Sequence, residues 1–203
     1  MWDISKSDFI PEKLDFKDLL SNLAYWILPG FVSFAVFSYL KMLGNNYFNY
    51  ILRALNEGIS VYLWNLTGTL GLIFLGISIV FIKNKASQEI LRKSSDILLN
   101  TFKAGLLAFG VLAGETLMIL YGFHPHIWWQ KWFFDIMFPI MLLLVLILNL
   151  ILWYISILIY NTDTPNQKTK IMEKIELMPT FYRLLFSICF FIILPIITII
   201  IER

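Results

Sequence analysis

Glu115 lies near the middle of an apolar stretch, 104–123, that is long enough to cross a lipid bilayer. A carboxylate at that depth costs about 2.5–3.5 kcal/mol on insertion scales, so it indicates a functional role or a specific partner. One interpretation is a pore-lining, proton-sensing or cation-binding acid. The other is a protonated carboxyl group held by an interhelical hydrogen bond. In a homo-oligomer the copies of Glu115 would form a ring, which is a device for cation selectivity.

Other polar side chains fall within predicted membrane spans. Asn65, Thr67 and Thr69 occupy the outer half of the second apolar stretch, and Asn149 lies in the fourth. Counting residues from the ends of the stretches predicts Thr67 at a depth similar to that of Glu115. Asn65, Thr67 or Thr69 could therefore donate a hydrogen bond to the carboxyl group.

Two groups of basic residues are predicted on one side of the membrane. Positive-inside topology explains them without any ligand, whereas a pocket for a nucleotide, an oligonucleotide or a lipid headgroup is the sharper alternative. Arg183 is singled out because it begins an otherwise uncharged apolar run and needs a partner. The candidate anion-binding residues are Lys83, Lys85, Arg92, Lys93, Lys168, Lys170, Lys174 and Arg183.

Small residues and prolines indicate where helices pack or bend. Gly110 and Gly114 form a G-x-x-x-G pair, which favours close helix contact without identifying the partner helix. Pro29 with Gly30, and Pro195 in the last apolar run, predict hinges or kinks.

The composition excludes several classes of protein. Of 203 residues, 59% are hydrophobic and 15% are charged. Soluble domains have about 25% charged residues, so this composition argues against a water-soluble fold. Cys189 is the single cysteine, which excludes an intrachain disulfide and C-x-x-C zinc or redox chemistry. His124 and His126 have no nearby residues to complete a metal site. With no catalytic motif, no enzyme activity, metal or cofactor is expected.

The apolar pattern predicts an all-α fold, a polytopic membrane helical bundle that forms a single domain over 1–203. About five spans are expected, and in a four-span alternative the last run is re-entrant or packs sideways. The predicted spans are 21–43, 59–82, 104–123, 135–160 and 181–201, with an interfacial helix at 1–20, a second at 45–58, and cytoplasmic segments at 83–103 and 161–180.

Charge predicts the orientation. Twelve of the 16 Lys and Arg residues fall on the side of the amino terminus, which predicts a cytoplasmic amino terminus. Segment 83–103 has apolar residues at helical spacing and runs directly into the third span. A movement of this segment would therefore move Glu115.

The run Leu28-Pro29-Gly30-Phe31 resembles the entry helix of small bacterial membrane proteins. In size and layout the chain is similar to the membrane subunits of bacterial anti-phage defence systems such as Hailong and Kiwa. The resemblance implies a homo-oligomer, with a tetramer as one candidate state, in the bacterial inner membrane.

The leading functional hypothesis is an oligomeric membrane effector that conducts ions or depolarises the inner membrane when triggered by an anionic ligand. The alternative is a non-conducting sensor or scaffold that recruits a cytoplasmic protein partner through 83–103 and 161–180. A secondary transporter is less favoured because the sequence shows no internal repeat.

Overall fold

A computed structural model describes residues 16–42, 59–122, 128–159 and 169–188. These residues are almost all helical and contain no strand, which confirms the predicted all-α fold. The helices are α1 (Phe16–Met42), α2 (Ile59–Val80), α3 (Lys85–Gly122), α4 (Trp128–Ile159) and α5 (Lys170–Leu177), and a further helical segment follows at 180–188.

Three of the described helices are long and apolar enough to cross a membrane. Their candidate spanning segments are Leu19–Leu40, Lys85–Met118 and Lys131–Ile159, and Trp64–Val80 is a shorter apolar helix. The protein therefore has the helices of a membrane protein. Most of the predicted span 181–201 and interfacial helix 1–20, and all of the predicted helix at 45–58, lie outside the described residues, so the five-span count stays a prediction.

Helix α3 unites two segments that differ in polarity. Its 38 residues run without interruption from the charged stretch that begins at Lys85 into the apolar stretch around Glu115. A tight turn at 81–84 precedes it, and Asn84 Oδ1 accepts a hydrogen bond from Ala86 N at 3.1 Å. This side chain satisfies one of the free amides of the first turn. The predicted continuity of 83–103 with the third span is confirmed from Lys85 onward.

The described residues belong to two compact units. The first contains 64–101 together with 152–159 and 169–188. Its apolar core is lined by residues of α2, α3, α4, α5 and the turn at 81–84 with almost no exposed surface, namely Leu75, Ile79, Ile82, Leu91, Leu98, Ile159, Ile171 and Ile175. Helix α5 is amphipathic, and its buried face is formed by Ile171, Met172 and Ile175.

The second unit contains α1, residues 59–63 and the stretches 102–122 and 128–151. Phe34, Phe102 and Leu106 are buried in it. Much of the apolar surface of α4 is not covered by other residues: Met141 is 61% exposed and Leu143 is 55% exposed. Large apolar side chains left uncovered over several turns are expected where lipid is the solvent.

Candidate functional site

Glu115 lies in the apolar half of α3, within the membrane-length segment Lys85–Met118. Its side chain is half-buried. At about 100° per residue, it points roughly a quarter-turn away from its neighbour Gly114. Leu112 and Ala108 lie one and two turns before it on the same face, and both are also only partly covered. The carboxyl group thus lies on a face of α3 that the protomer leaves partly open.

Gly30 and Gly110 lie at the crossing of α1 and α3. A Cβ atom built on Gly30 would overlap the carbonyl oxygen of Leu107, and one built on Gly110 would overlap that of Ile27. The Gly30 Cβ position is also only 3.2 Å from Gly110 Cα. The two backbones therefore touch directly, and glycine is required on both helices.

Gly114 extends this contact by one turn. Its Cβ position would lie 2.6 Å from Cδ1 of Phe34, whose ring is buried. The G-x-x-x-G pair thus packs against α1, a partner that the sequence did not identify. Gly30 belongs to this packed contact, and α1 continues through Pro29 as one helix. The predicted hinge at Pro29 and Gly30 remains untested, and Pro195 lies outside the described residues.

Asn149 is the polar residue of α4 that the sequence singled out. It is 1% exposed, and its Nδ2 donates to the carbonyl oxygen of Val145 at 2.9 Å. Part of its hydrogen-bonding capacity is therefore used within its own helix, which lowers the cost of burying the amide.

In the first unit, Thr67 pairs with Thr101 of α3. Thr101 Oγ1 lies 3.1 Å from Thr67 Oγ1 and 2.8 Å from the carbonyl oxygen of Ile97, and its single proton can serve either. Thr101 precedes Glu115 by fourteen residues, which is about 21 Å of helix. The expected match in depth between Thr67 and Glu115 is therefore wrong, because Thr67 lies level with Thr101.

The other two polar residues that the sequence singled out in α2 are not seen to make such a pair among the described residues. Thr69 is half-buried. The carboxamide oxygen of Asn65 is buried and accepts no hydrogen bond within the described part of the chain. Neither is brought to a charged partner there.

Two buried serines that the sequence did not single out link helices through hydrogen bonds. Ser95 Oγ donates to the carbonyl oxygen of Ser156 at 3.0 Å, joining α3 to α4. Ser187 Oγ donates to the carbonyl oxygen of Gly76 at 2.6 Å, joining segment 180–188 to α2. Two features of the sequence could have indicated these contacts. Gly76 has no side chain that could block the approach of Ser187, and Ser95 falls on the apolar stripe of α3.

Arg183 is the buried member of the predicted basic set, with 4% of its surface exposed. One guanidinium nitrogen, Nη2, donates to Thr180 Oγ1 at 3.0 Å. The other two, Nε and Nη1, are buried and have no hydrogen-bond acceptor among the described residues. The expectation that this arginine needs a partner stays a prediction. Two of its nitrogens have no hydrogen-bond acceptor among the described residues.

The remaining basic candidates have a different environment. Lys83, Lys85, Arg92 and Lys93 are exposed, and Lys93 Nζ lies 3.1 Å from Glu89 Oε1 in a surface pair. Such pairs contribute about 0.3–0.5 kcal/mol. Lys170 is exposed and Lys174 is half-buried, both on α5, whereas Lys168 lies outside the described residues. Burial thus separates Arg183 from the rest of the set.

Metal-ligating residues do not cluster in the described ranges, where no group of three or more His, Cys, Asp or Glu residues could hold an ion. His124, His126 and Cys189 lie outside those ranges. Two separate candidates therefore remain, Glu115 in the second unit and the buried Arg183 in the first. No family model, curated protein or solved structure matches the chain.

Proposed function

We propose that the protein is a membrane effector that assembles into a homo-oligomer and conducts ions when triggered, with Glu115 in the ion path. The observation that carries this proposal is the position of the Glu115 carboxyl group. It is half-buried on a partly open face of an apolar, membrane-length helix. Acidic residues within spans usually face a bundle interior or a water-filled cavity rather than lipid.

Self-association would give Glu115 such an environment. A second copy packed on the face of Ala108, Leu112 and Glu115 would bury apolar surface and bring the carboxyl groups together. A ring of carboxylates favours cations, because it partly replaces their hydration shell and lowers their energy in the pore.

The glycine contact supports a mechanism for gating. α1 and α3 touch through their backbones at Gly30 and Gly110, and close-packed helices move together or slide as rigid bodies. The charged amino-terminal half of α3 is continuous with the half that carries Glu115. A ligand or partner that rotates the charged half would thereby turn the carboxyl group into or out of the path.

The cellular setting belongs to the same proposal. Residues 28–31 and the overall layout resemble the membrane subunits of bacterial anti-phage systems, which supports a site in the inner membrane. The predicted cytoplasmic amino terminus is supported by the excess of Lys and Arg on its side of the membrane. A triggered conductance would there depolarise an infected cell. Plating phage on cells that carry the intact protein or a Glu115→Ala variant, with its native neighbouring genes, measures the contribution to defence.

Purified protein in liposomes tests the conductance directly. We expect a cation flux under an applied potential, reduced in Glu115→Ala and less cation-selective in Glu115→Gln, which keeps the shape but removes the charge. Asp96→Asn is the matched control, because Asp96 is an exposed acidic residue of the same helix. Flux and selectivity unchanged in both Glu115 variants would remove this residue from the path, and absence of flux with every trigger tried would refute the channel.

A second candidate function is a non-conducting sensor or scaffold. It is favoured by the exposure of Lys83, Lys85, Arg92 and Lys93, which form a basic surface suited to an acidic partner protein. Reversing charge at Arg92 and Lys93 would then abolish capture of the partner, whereas Glu115→Ala would leave it intact. The opposite pattern favours the channel.

A further inference from the structure

Helix α2 packs antiparallel beside the charged half of α3, residues 85–101, to which a tight turn connects it. The Cβ position of Gly71 lies 2.9 Å from Leu98 Cδ2. Four residues earlier in α2 and three residues later in α3, Thr101 Oγ1 lies 3.1 Å from Thr67 Oγ1. Both helices rise by the same distance per residue, so each turn of α2 lies level with a turn of the charged half of α3.

The two helices present opposite kinds of surface at the same level. The outer face of α2 carries five large apolar side chains that are 39–59% exposed, and the outer face of the charged half of α3 carries five exposed charged residues. The apolar row, here named the α2 stripe, is Leu66, Leu70, Phe74, Ile77 and Phe81, and the charged row is Lys85, Glu89, Arg92, Lys93 and Asp96. Lipid tails that covered the α2 stripe would have the charged row at their own depth, where each charged side chain is costly.

The length of α3 shows which half the bilayer can hold. Its 38 residues extend for about 57 Å, whereas the hydrocarbon core of a bilayer is about 30 Å thick. Only about half of the helix fits, and the apolar half around Glu115 carries far less charge than the other. If the charged half lies outside the hydrocarbon, α2 lies outside with it. This agrees with the three described helices that are long and apolar enough to cross, among which α2 is not included.

We propose that α2 does not cross the bilayer and that the α2 stripe packs against the α2 stripe of a second copy. The proposal rests on the homo-oligomer of the proposed function, but not on ion conduction. Copies in one bilayer share one orientation, so a symmetry axis along the membrane normal brings the same residues together at the same height. The predicted cytoplasmic amino terminus counts the predicted span 59–82 as a crossing, so the sidedness of α2 decides that prediction as well.

The area of uncovered surface fits a second copy. At about 200 Å² for a fully exposed large side chain, the α2 stripe leaves roughly 500 Å² uncovered. The bond from Ser187 Oγ to Gly76 O holds segment 180–188 beside α2, and its exposed Phe181, Leu184 and Leu185 raise the total to roughly 800 Å². Each partner of a stable interface contributes about that area. The α2 stripe contains no charged side chain, so its partner must be apolar at the same heights, which another copy is.

Cysteine crosslinking of the full chain in native membranes measures this contact. In a background with Cys189→Ser, single cysteines replace Phe74 or Ile77 of the α2 stripe, and the matched control replaces Asp96 of the charged row, all at exposed positions. Oxidation should link two copies through Phe74→Cys or Ile77→Cys at least about tenfold faster than through Asp96→Cys, because a disulfide needs Cα atoms within about 7 Å. Ala108→Cys tests separately the contact on the face of Glu115.

Labelling with a membrane-impermeant maleimide tests whether α2 crosses. Ser60→Cys lies at the start of α2, and Lys83→Cys lies in the turn that follows it. Both should be labelled from the same side of the membrane, and labelling from opposite sides would overturn the proposal. Copies linked through Ala108→Cys but not through the α2 stripe would overturn this contact and leave the proposed oligomer in place. Copies linked at no position would refute the contact and the oligomer together, whereas loss of ion flux alone would refute only conduction.

Discussion

Gly30 of α1 and Gly110 of α3 make a reciprocal backbone contact. The missing side chain of each glycine points at a carbonyl oxygen of the other helix, and that oxygen belongs to the residue three positions before the opposite glycine, Leu107 in one direction and Ile27 in the other. The Cα–H group of each glycine therefore faces a carbonyl, an arrangement that contributes about 0.5–1 kcal/mol per contact. The crossing of α1 and α3 therefore depends on glycine at both positions, because a methyl group at either one would overlap the backbone of the other helix.

The first prediction concerns these two positions. Gly30→Ala and Gly110→Ala should each lower the free energy of unfolding by about 1–3 kcal/mol, since overpacking of this size pushes backbone against backbone. Unfolding in mixed micelles of a mild detergent and dodecyl sulfate measures the loss. Because no flexible side chain can move aside, we expect neither variant to recover through repacking.

Gly68→Ala is the matched control for this prediction. A Cβ atom there would lie 3.6 Å from Thr101 Cγ2 and 3.8 Å from Leu152 Cδ1, which is ordinary van der Waals contact. Alanine should be neutral or slightly stabilising at this helical position, because glycine costs roughly 0.5–1 kcal/mol in a helix. If all three variants lost the same stability, the effect would come from glycine in general and the α1–α3 crossing would be refuted.

A second prediction concerns Gly114 and Phe34. Gly114→Ala brings a methyl group against the buried ring, so it should destabilise by about 1–3 kcal/mol. Phe34→Leu alone leaves a space and should also destabilise. In the double variant the leucine makes room for the methyl group, so the combined loss should be smaller than the sum of the two. Strict additivity in this double-mutant cycle would show that position 114 and the ring of Phe34 are not in contact.

Much of the helical layout is predictable from hydrophobic periodicity. The predicted span 59–82 corresponds to Ile59–Val80, and the amphipathic segment and third span form the single helix Lys85–Gly122. α4 begins at Trp128, before the predicted span 135–160, because the aromatic run 128–134 is itself helical. Apolar length and period are local properties, so they can be read from the chain.

Helix pairing could not be predicted in the same way. The sequence indicated that Gly110 and Gly114 pack against some helix, yet the choice of α1 depends on the matching of two surfaces in space. The pairing of Thr67 with Thr101 was missed for a different reason. Depth was counted from the start of the predicted span 104–123, whereas α3 begins at Lys85 directly after the turn at 81–84, so Thr101 is the residue that lies beside Thr67.

The third prediction concerns Ser187, which lies one helical turn after Arg183. Its buried hydroxyl donates to the carbonyl oxygen of Gly76 at 2.6 Å and so ties segment 180–188 to α2. Ser187→Ala should lower the free energy of unfolding by about 0.5–1 kcal/mol, in the range of interhelical hydrogen bonds in membrane proteins.

Ser78→Ala is a close control for this effect, because Ser78 is equally buried but donates at 2.6 Å to Phe74, within its own helix. That bond adds no tertiary contact, so its removal should cost less. Unfolding in mixed micelles, with hydrogen exchange of residues 180–188 as a second measurement, distinguishes the two variants. Ser187→Ala should speed exchange in that segment, since the contact that resists local opening is gone. Equal stability and unchanged exchange in Ser187→Ala would mean that the segment is held to α2 by apolar packing alone.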